Sequence, residues 1–213
     1  LFKSKDHLSR ENKILKEQLD QSYLNNFVIS REKSFFYDHS SLNKIINGNK
    51  FIESYSLAKL KSFNPNIFNC CDKHRMYIEI IQNTNKDIKE GAVFNETGII
   101  GQVVNNKSFY EVMLLTDTKS SIPLRNSKGD FYCNASGSGA SDYITCSYSQ
   151  LVWLDNHELG EKFFSSGLGG IYPKGIEIGN LESIKIVDTS TTLLTIKLIS
   201  NPLHSNLFGV IKL

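Results

Sequence analysis

The apolar rhythm of this chain changes once, at Gly48. Upstream, Leu8, Leu15 and Leu19 form one seam at helical spacing, and Leu24, Val28, Phe35, Leu42 and Ile45 form a second. Proline and glycine are absent from Lys3 to Ile46, and Asn47-Gly48-Asn49 supplies the stop that glycine commonly provides past a helix end. The spacing predicts one long N-terminal α-helix, a rod of roughly 65 Å at about 1.5 Å per residue. Propensity alone does not hold such a helix; its apolar stripe needs a partner. Leu8, Leu15 and Leu19 are therefore candidate self-association residues, in a homodimer or a higher assembly. The seam changes phase between Leu19 and Leu24 and meets Asn12, so the expected coiled coil is loose. Its aromatic later part (Tyr23, Phe27, Phe35, Phe36 and Tyr37) is left to meet the globular region or another protein.

Downstream the pattern becomes short and β-like. Runs rich in β-branched and aromatic residues are separated by Gly, Asn, Ser or Asp. Expected strands are Phe51–Lys61, Met76–Gln82, Ala92–Phe94, Ile99–Asn105, Glu111–Thr116, Ser121–Arg125, Asp130–Cys133, Tyr143–Ser147, Glu161–Phe164, Gly175–Leu181, Thr191–Ile199 and Phe208–Lys212. About a dozen strands without helices between them point to barrels or a sandwich. The fold class is thus mainly β after a long helix. Ser136-Gly137-Ser138-Gly139-Ala140-Ser141 reads as a flexible tip between two strands. At Phe163-Phe164, strand alternation should bury one ring and expose the other.

One segment is demanding in shape and poor in chemistry. Between Ser165 and Gly179 it holds Gly167, Gly169, Gly170, Gly175, Gly179 and Pro173. Glycine serves where φ is positive or the backbone approaches closely, and proline fixes φ. The cluster predicts a shaped turn system between strands, with several glycines at φ > 0. Its reactive groups are two serines.

This segment, Ser-Ser-Gly-Leu-Gly-Gly-Ile-Tyr-Pro-Lys-Gly-Ile-Glu-Ile-Gly, resembles a signature of the bacterial cell shape-determining MreC family. Two further runs resemble the same family in order: Gly91-Ala92-Val93-Phe94-Asn95 with Gly98-Ile99-Ile100-Gly101-Gln102-Val103-Val104, then Leu114 to Leu124, Leu-Leu-Thr-Asp-Thr-Lys-Ser-Ser-Ile-Pro-Leu. The resemblance covers about Gly91 to Leu213. It implies two adjoining six-stranded β-barrels, with the last strands returning to the first barrel. The corresponding division is 1–48 for the helix, 49–97 plus 184–213 for the first barrel and 98–183 for the second.

Composition narrows the rest. A net charge of +2 gives no argument for nucleic acid. No run of about 18 apolar residues could span a bilayer. The chain opens at Leu1 without methionine or signal peptide and reads as a piece of a longer protein. The resemblance implies that a single membrane helix precedes it, anchoring it to the inner membrane and facing the periplasm. Cys70, Cys71, Cys133 and Cys146 lack Cys-x-x-Cys spacing, and with His74 they do not make a common zinc framework. A Cys133–Cys146 bridge across neighbouring strands is open; free, half-buried thiols are the preferred expectation.

Candidate catalysis is thin. His74, Asp117 and Ser138 follow the chain order of a two-barrel protease, but the local motifs of such enzymes are missing. The glycine runs lack the Lys-Ser/Thr and following helix of a phosphate loop. The reading is therefore no catalytic residue, no cofactor, no metal and no enzyme. The resemblance implies a scaffold of lateral cell-wall elongation that binds and activates a class B penicillin-binding transpeptidase, with MreD, RodA and, indirectly, MreB as further partners. The alternatives are a degenerate two-barrel protease and a secreted adhesion module on a coiled-coil stalk. For partner contacts, Phe131, Tyr132 and Tyr143 flank the glycine-serine tip and are the candidate anchors, each also a candidate for barrel core.

Overall fold

The computed structural model describes residues 7, 10–18, 22, 40–64, 72–82, 88–105, 109–149 and 157–212. Among the described residues twelve strands follow one another: β1 (Ser56–Phe63), β2 (Arg75–Gln82), β3 (Gly91–Asn95), β4 (Gly98–Asn105), β5 (Tyr110–Leu114), β6 (Ser121–Asn126), β7 (Tyr132–Gly137), β8 (Tyr143–Ser149), β9 (Lys162–Ser165), β10 (Glu177–Ile186), β11 (Thr191–Leu198) and β12 (Leu207–Ile211). They close two six-stranded antiparallel barrels, in the orders β1-β12-β3-β4-β5-β2 and β10-β11-β8-β7-β6-β9.

The expected strands are present, but their division between barrels is corrected. β4 and β5 close the first barrel, pairing with β3 and β2, although they lie within 98–183. β11 and the end of β10 lie beyond 183 and belong to the second. The first barrel thus spans 56–114 and 207–211, the second 121–198. Alternation along a strand reveals its faces, not its neighbours, so pattern could not adjust the division drawn from the resemblance.

The cores explain the exceptions to alternation. Ala58, Met76, Ile78, Val93, Val112, Phe208 and Val210 fill the first barrel. A second apolar body runs from the interior of the second barrel into the junction, through Ile122, Ile144, Phe163, Tyr172 and Ile178 to Leu57, Ala92, Phe94 and Ile211. β3 and β12 are buried at every position. Each faces its own barrel on one side and the junction on the other, which gives the continuous apolar run of a doubly covered strand. Gly209 lies under the Phe94 ring, where a Cβ would collide with it.

The expected long helix is not supported. Residues 10–18 are helical, as are 7 and 22, and a separate eight-residue helix spans Ser40–Asn47. In that helix Leu42 is buried, and Ile45 and Ile46 pack against the junction core. Ile14 and Leu15, by contrast, are more than half exposed. The difference is physical: an apolar stripe is buried only where a surface meets it, as the junction core meets Leu42. Leu8, Leu19 and the aromatics from Tyr23 to Tyr37 lie outside the described residues. No described helix is long and apolar enough to cross a membrane.

The thiol expectation is also overturned. Cys133 on β7 and Cys146 on β8 are disulfide-bonded, with Cα atoms 6.2 Å apart. Ala135 stands directly opposite Cys146, so Cys133 is its diagonal neighbour on the same face, within bridging reach. Cys70 and Cys71 lie outside the described residues.

Candidate functional site

The glycine-rich segment connects β9 to β10. Gly167, Gly169, Gly170 and Gly175 take φ of +82°, +80°, +70° and +87°. A Cβ on Gly167 would also press on the Lys174 side chain at 2.8 Å, whereas Gly169, Gly170 and Gly175 have open space around them. Gly179 is not in the left-handed region; a Cβ there would meet the Lys197 carbonyl oxygen of the next strand. Pro173 is buried.

Ser165 pins the segment. Its N–H donates to the Ile176 carbonyl and its own carbonyl accepts from Gly175 N–H, each at 2.8 Å. Its buried hydroxyl donates to the Pro173 carbonyl and accepts from Ile176 N–H at 3.0 Å. Ser166 N–H donates to the Pro123 carbonyl of β6. These bonds close a loop whose left-handed turns the glycines permit. The loop then carries Tyr172 into the junction, where its hydroxyl donates to Gln102 Oε1 of β4 at 2.9 Å. Burial raises the Tyr172 phenol above its ordinary value, so it stays protonated and donating. From the other side, Asn49 Nδ2, just past the helix, donates to the Lys174 carbonyl at 2.9 Å. The turn therefore ties both barrels and the helix together, and Leu168 at its tip stays exposed.

A second node lies where the chain leaves β5 for β6. The His74 main-chain N–H donates to Asp117 Oδ2 at 2.9 Å, Lys119 N–H donates to Oδ1, and the Arg75 guanidinium stands 3.1 Å from Oδ2. The His74 ring instead meets Thr116 Oγ1 through Nδ1 at 2.7 Å. Desolvation by burial lowers the His74 pKa, and the Asp117 charge opposes that shift. Ser138 Oγ donates to the Tyr143 carbonyl at 2.7 Å. His74, Asp117 and Ser138 thus belong to one corner of the molecule, yet no bond links the carboxylate to the ring or the hydroxyl to the imidazole. A proton relay needs both.

The three candidate anchors part company. Phe131 is 3% exposed and belongs to the second core, edge-on to Tyr148 and His157 at 5.0 and 4.4 Å. It is core, not a partner contact. Tyr132, at the start of β7, is 39% exposed. Tyr143, at the start of β8, is half-buried beside Lys197. Of the phenylalanine pair, Phe163 is buried and Phe164 faces outward under the Arg125 guanidinium, 5.6 Å from the ring centroid. Trp153 lies outside the described residues. Ser165, read from sequence as an ordinary serine, is the structural centre of the turn; its spacing carries no signal. Between the barrels a cleft of about 200 Å³ opens, lined by Ile100, Leu115, Asp142, Leu198 and Leu203. Among the described residues no cluster of acidic, His or Cys side chains could hold a metal.

Residues 67–212 match the family profile "Rod shape-determining protein MreC, barrel core". The cell shape-determining protein MreC of Haemophilus influenzae is 27% identical over 184 residues, covering 83% of this chain. The chain spans 48% of that relative's length. The crystal structure of MreC from Pseudomonas aeruginosa superposes with a TM-score of 0.63 at 22% identity, over 74% of this chain and 99% of that one. A complex between penicillin-binding protein PBP2 and MreC from Helicobacter pylori gives a TM-score of 0.54 at 17% identity, over 74% of this chain and 97% of the other. At these identities the two structural likenesses bear on the fold.

Proposed function

The chain belongs to the MreC rod shape-determining family, and from that premise we propose that it is a non-enzymatic periplasmic scaffold of lateral cell-wall elongation. It binds a class B penicillin-binding transpeptidase and favours its active arrangement, by binding that state more tightly than the inactive one. MreD, RodA and, indirectly, MreB complete the assembly, and a membrane helix preceding Leu1 anchors it. The observation that carries the reading is the match of residues 67–212, which hold β2 to β12, to the family's barrel core. The similar protein solved with PBP2 supports a transpeptidase as the partner. The node at Asp117 supports a non-catalytic role: its carboxylate is spent on the main-chain N–H groups of His74 and Lys119.

Self-association is part of the proposal. Leu15 is exposed in the helical residues 10–18 and available to a second helix, with Leu8 and Leu19 as its proposed companions. Tyr132 is the proposed aromatic anchor for the transpeptidase, being large, exposed and held on a strand. The test is calorimetric titration of the chain into the periplasmic part of the organism's class B transpeptidase. Saturable binding is expected, weakened at least tenfold by Tyr132→Ala at unchanged melting temperature. No binding by the parent chain would overturn the scaffold reading. Equal binding by Tyr132→Ala would remove Tyr132 from the interface.

A further inference from the structure

The hairpin of β10 and β11 outruns its barrel. β10 pairs with β9 only from Glu177 to Asn180. One more pair of bonds joins Leu181 to Glu161 and Gly160, both 2.8 Å. From Ser183 to Ile186, β10 pairs with β11 alone, and every residue from Glu182 to Thr189 is exposed. The opposite edge of β10 is therefore open among the described residues. A bulge between Leu181 and Ser183 resets which residues face it. Val187 N–H donates across the hairpin to the Thr191 carbonyl at 2.9 Å. Main-chain groups alternate in direction along an antiparallel strand, so Ile184 and Ile186 turn theirs to the open edge. Their side chains are 41% and 66% exposed, and Lys185 stands on the other face between them. An open edge with two exposed isoleucines and no proline is a template for another strand, and its lysine disfavours indiscriminate pairing.

We propose that this edge of β10 receives an extended segment of another protein as an added antiparallel strand. That segment carries an acidic residue opposite Lys185 and apolar residues opposite Ile184 and Ile186. Charge selects a foreign strand over a two-fold-related second copy. The two-fold pairing that uses all four main-chain groups of each copy sets Ile184 against Ile186 and Lys185 against Lys185. Like charges directly opposite one another destabilise a sheet pair. The pairing centred on Ile184 avoids that repulsion but sets Ile186 against the bulged Glu182, where the ladder is interrupted. An acidic residue in a partner strand replaces the repulsion with attraction and leaves every bond in place.

The test uses the whole chain and two capped synthetic peptides at millimolar concentration, Thr-Val-Glu-Val-Thr and Thr-Val-Lys-Val-Thr. Neither derives from wall synthesis, so the outcome is independent of the transpeptidase reading. Amide exchange at Ile184 and Ile186 should slow at least tenfold with the acidic peptide and remain unchanged with the basic one. Lys185→Glu should reverse that preference. Ile184→Pro removes an edge-facing donor while sparing the ladder to β11, and should abolish protection in a chain that melts normally. The idea is overturned if both peptides act alike, if Lys185→Glu leaves the preference intact, or if a well-folded Ile184→Pro chain is still protected. Concentration-dependent protection of the same amides without peptide would assign the edge to a second copy and equally overturn it.

Discussion

Glycines in this molecule are required for two different reasons, and the two respond differently to substitution. Gly169 and Gly170 need only their positive φ; Gly179 and Gly209 need the missing Cβ. Gly170→Ala should therefore destabilise by roughly 1–2 kcal/mol, the usual left-handed penalty, and lower the melting temperature by about 2–4 °C per kcal/mol at this size. Gly179→Ala has to displace the Lys197 strand and should melt far lower, or fail to fold. Equal melting of the two would refute the distinction. The turn was legible because positive φ selects glycine. The two kinds of glycine were not, since a close approach depends on a strand distant in sequence. Phe131 and Tyr132 show the same limit: neighbours in an extended segment point opposite ways, but only the register decides which points inward. His74 adds a pH response. Burial holds its folded value below the unfolded one near 6.5. The unfolded chain thus takes up the proton first, so stability is fullest above about pH 6.5 and falls as pH drops toward the folded value. His74→Asn should flatten this part of the curve in denaturant titrations at pH 5–8; an unchanged slope would exclude His74 as its source.

At the scale of elements, strands were readable and the helix was not. Alternation and turn residues locate β1 to β12, with ends that miss by up to five residues, at the start of β1 and the end of β10. The apolar seam before Gly48 reads as one helix because spacing shows what a helix could bury, never whether a partner surface exists. The partner exists for Leu42, seated with Ile45 and Ile46 on the junction core. Leu42→Ala should cost about 2–5 kcal/mol, as for other buried leucines, whereas Leu15→Ala in the isolated chain should change melting by less than a degree or two. A Leu42→Ala chain that unfolds at the parental denaturant midpoint would show that the helix does not contribute to the core. Pattern left the Cys133–Cys146 bridge open but could not decide it, because bridging follows from the diagonal placement of the two residues that β7–β8 register creates.

At the scale of the whole molecule, the barrels share one apolar body and are cross-bonded by Tyr172 to Gln102, while the connection from β11 to β12 is held to the first barrel by the Ser200 hydroxyl on the Ile99 carbonyl. Neither can lose its fold without baring the other's outer face. Calorimetry should show a single transition with calorimetric and van't Hoff enthalpies in agreement; two resolved transitions would mean that the junction is merely a contact. The strand order has one more consequence. β12 lies between β1 and β3, yet it is the last strand along the chain. As the polypeptide emerges N-terminus first, the second barrel has all six of its staves before the first has its final one. Until Leu207–Ile211 arrives, the earlier strands form an unclosed wall with two bare rims, facing a finished neighbour. The older half of the molecule thus matures last, and its seam is the stretch of nascent chain most in need of protection from premature pairing.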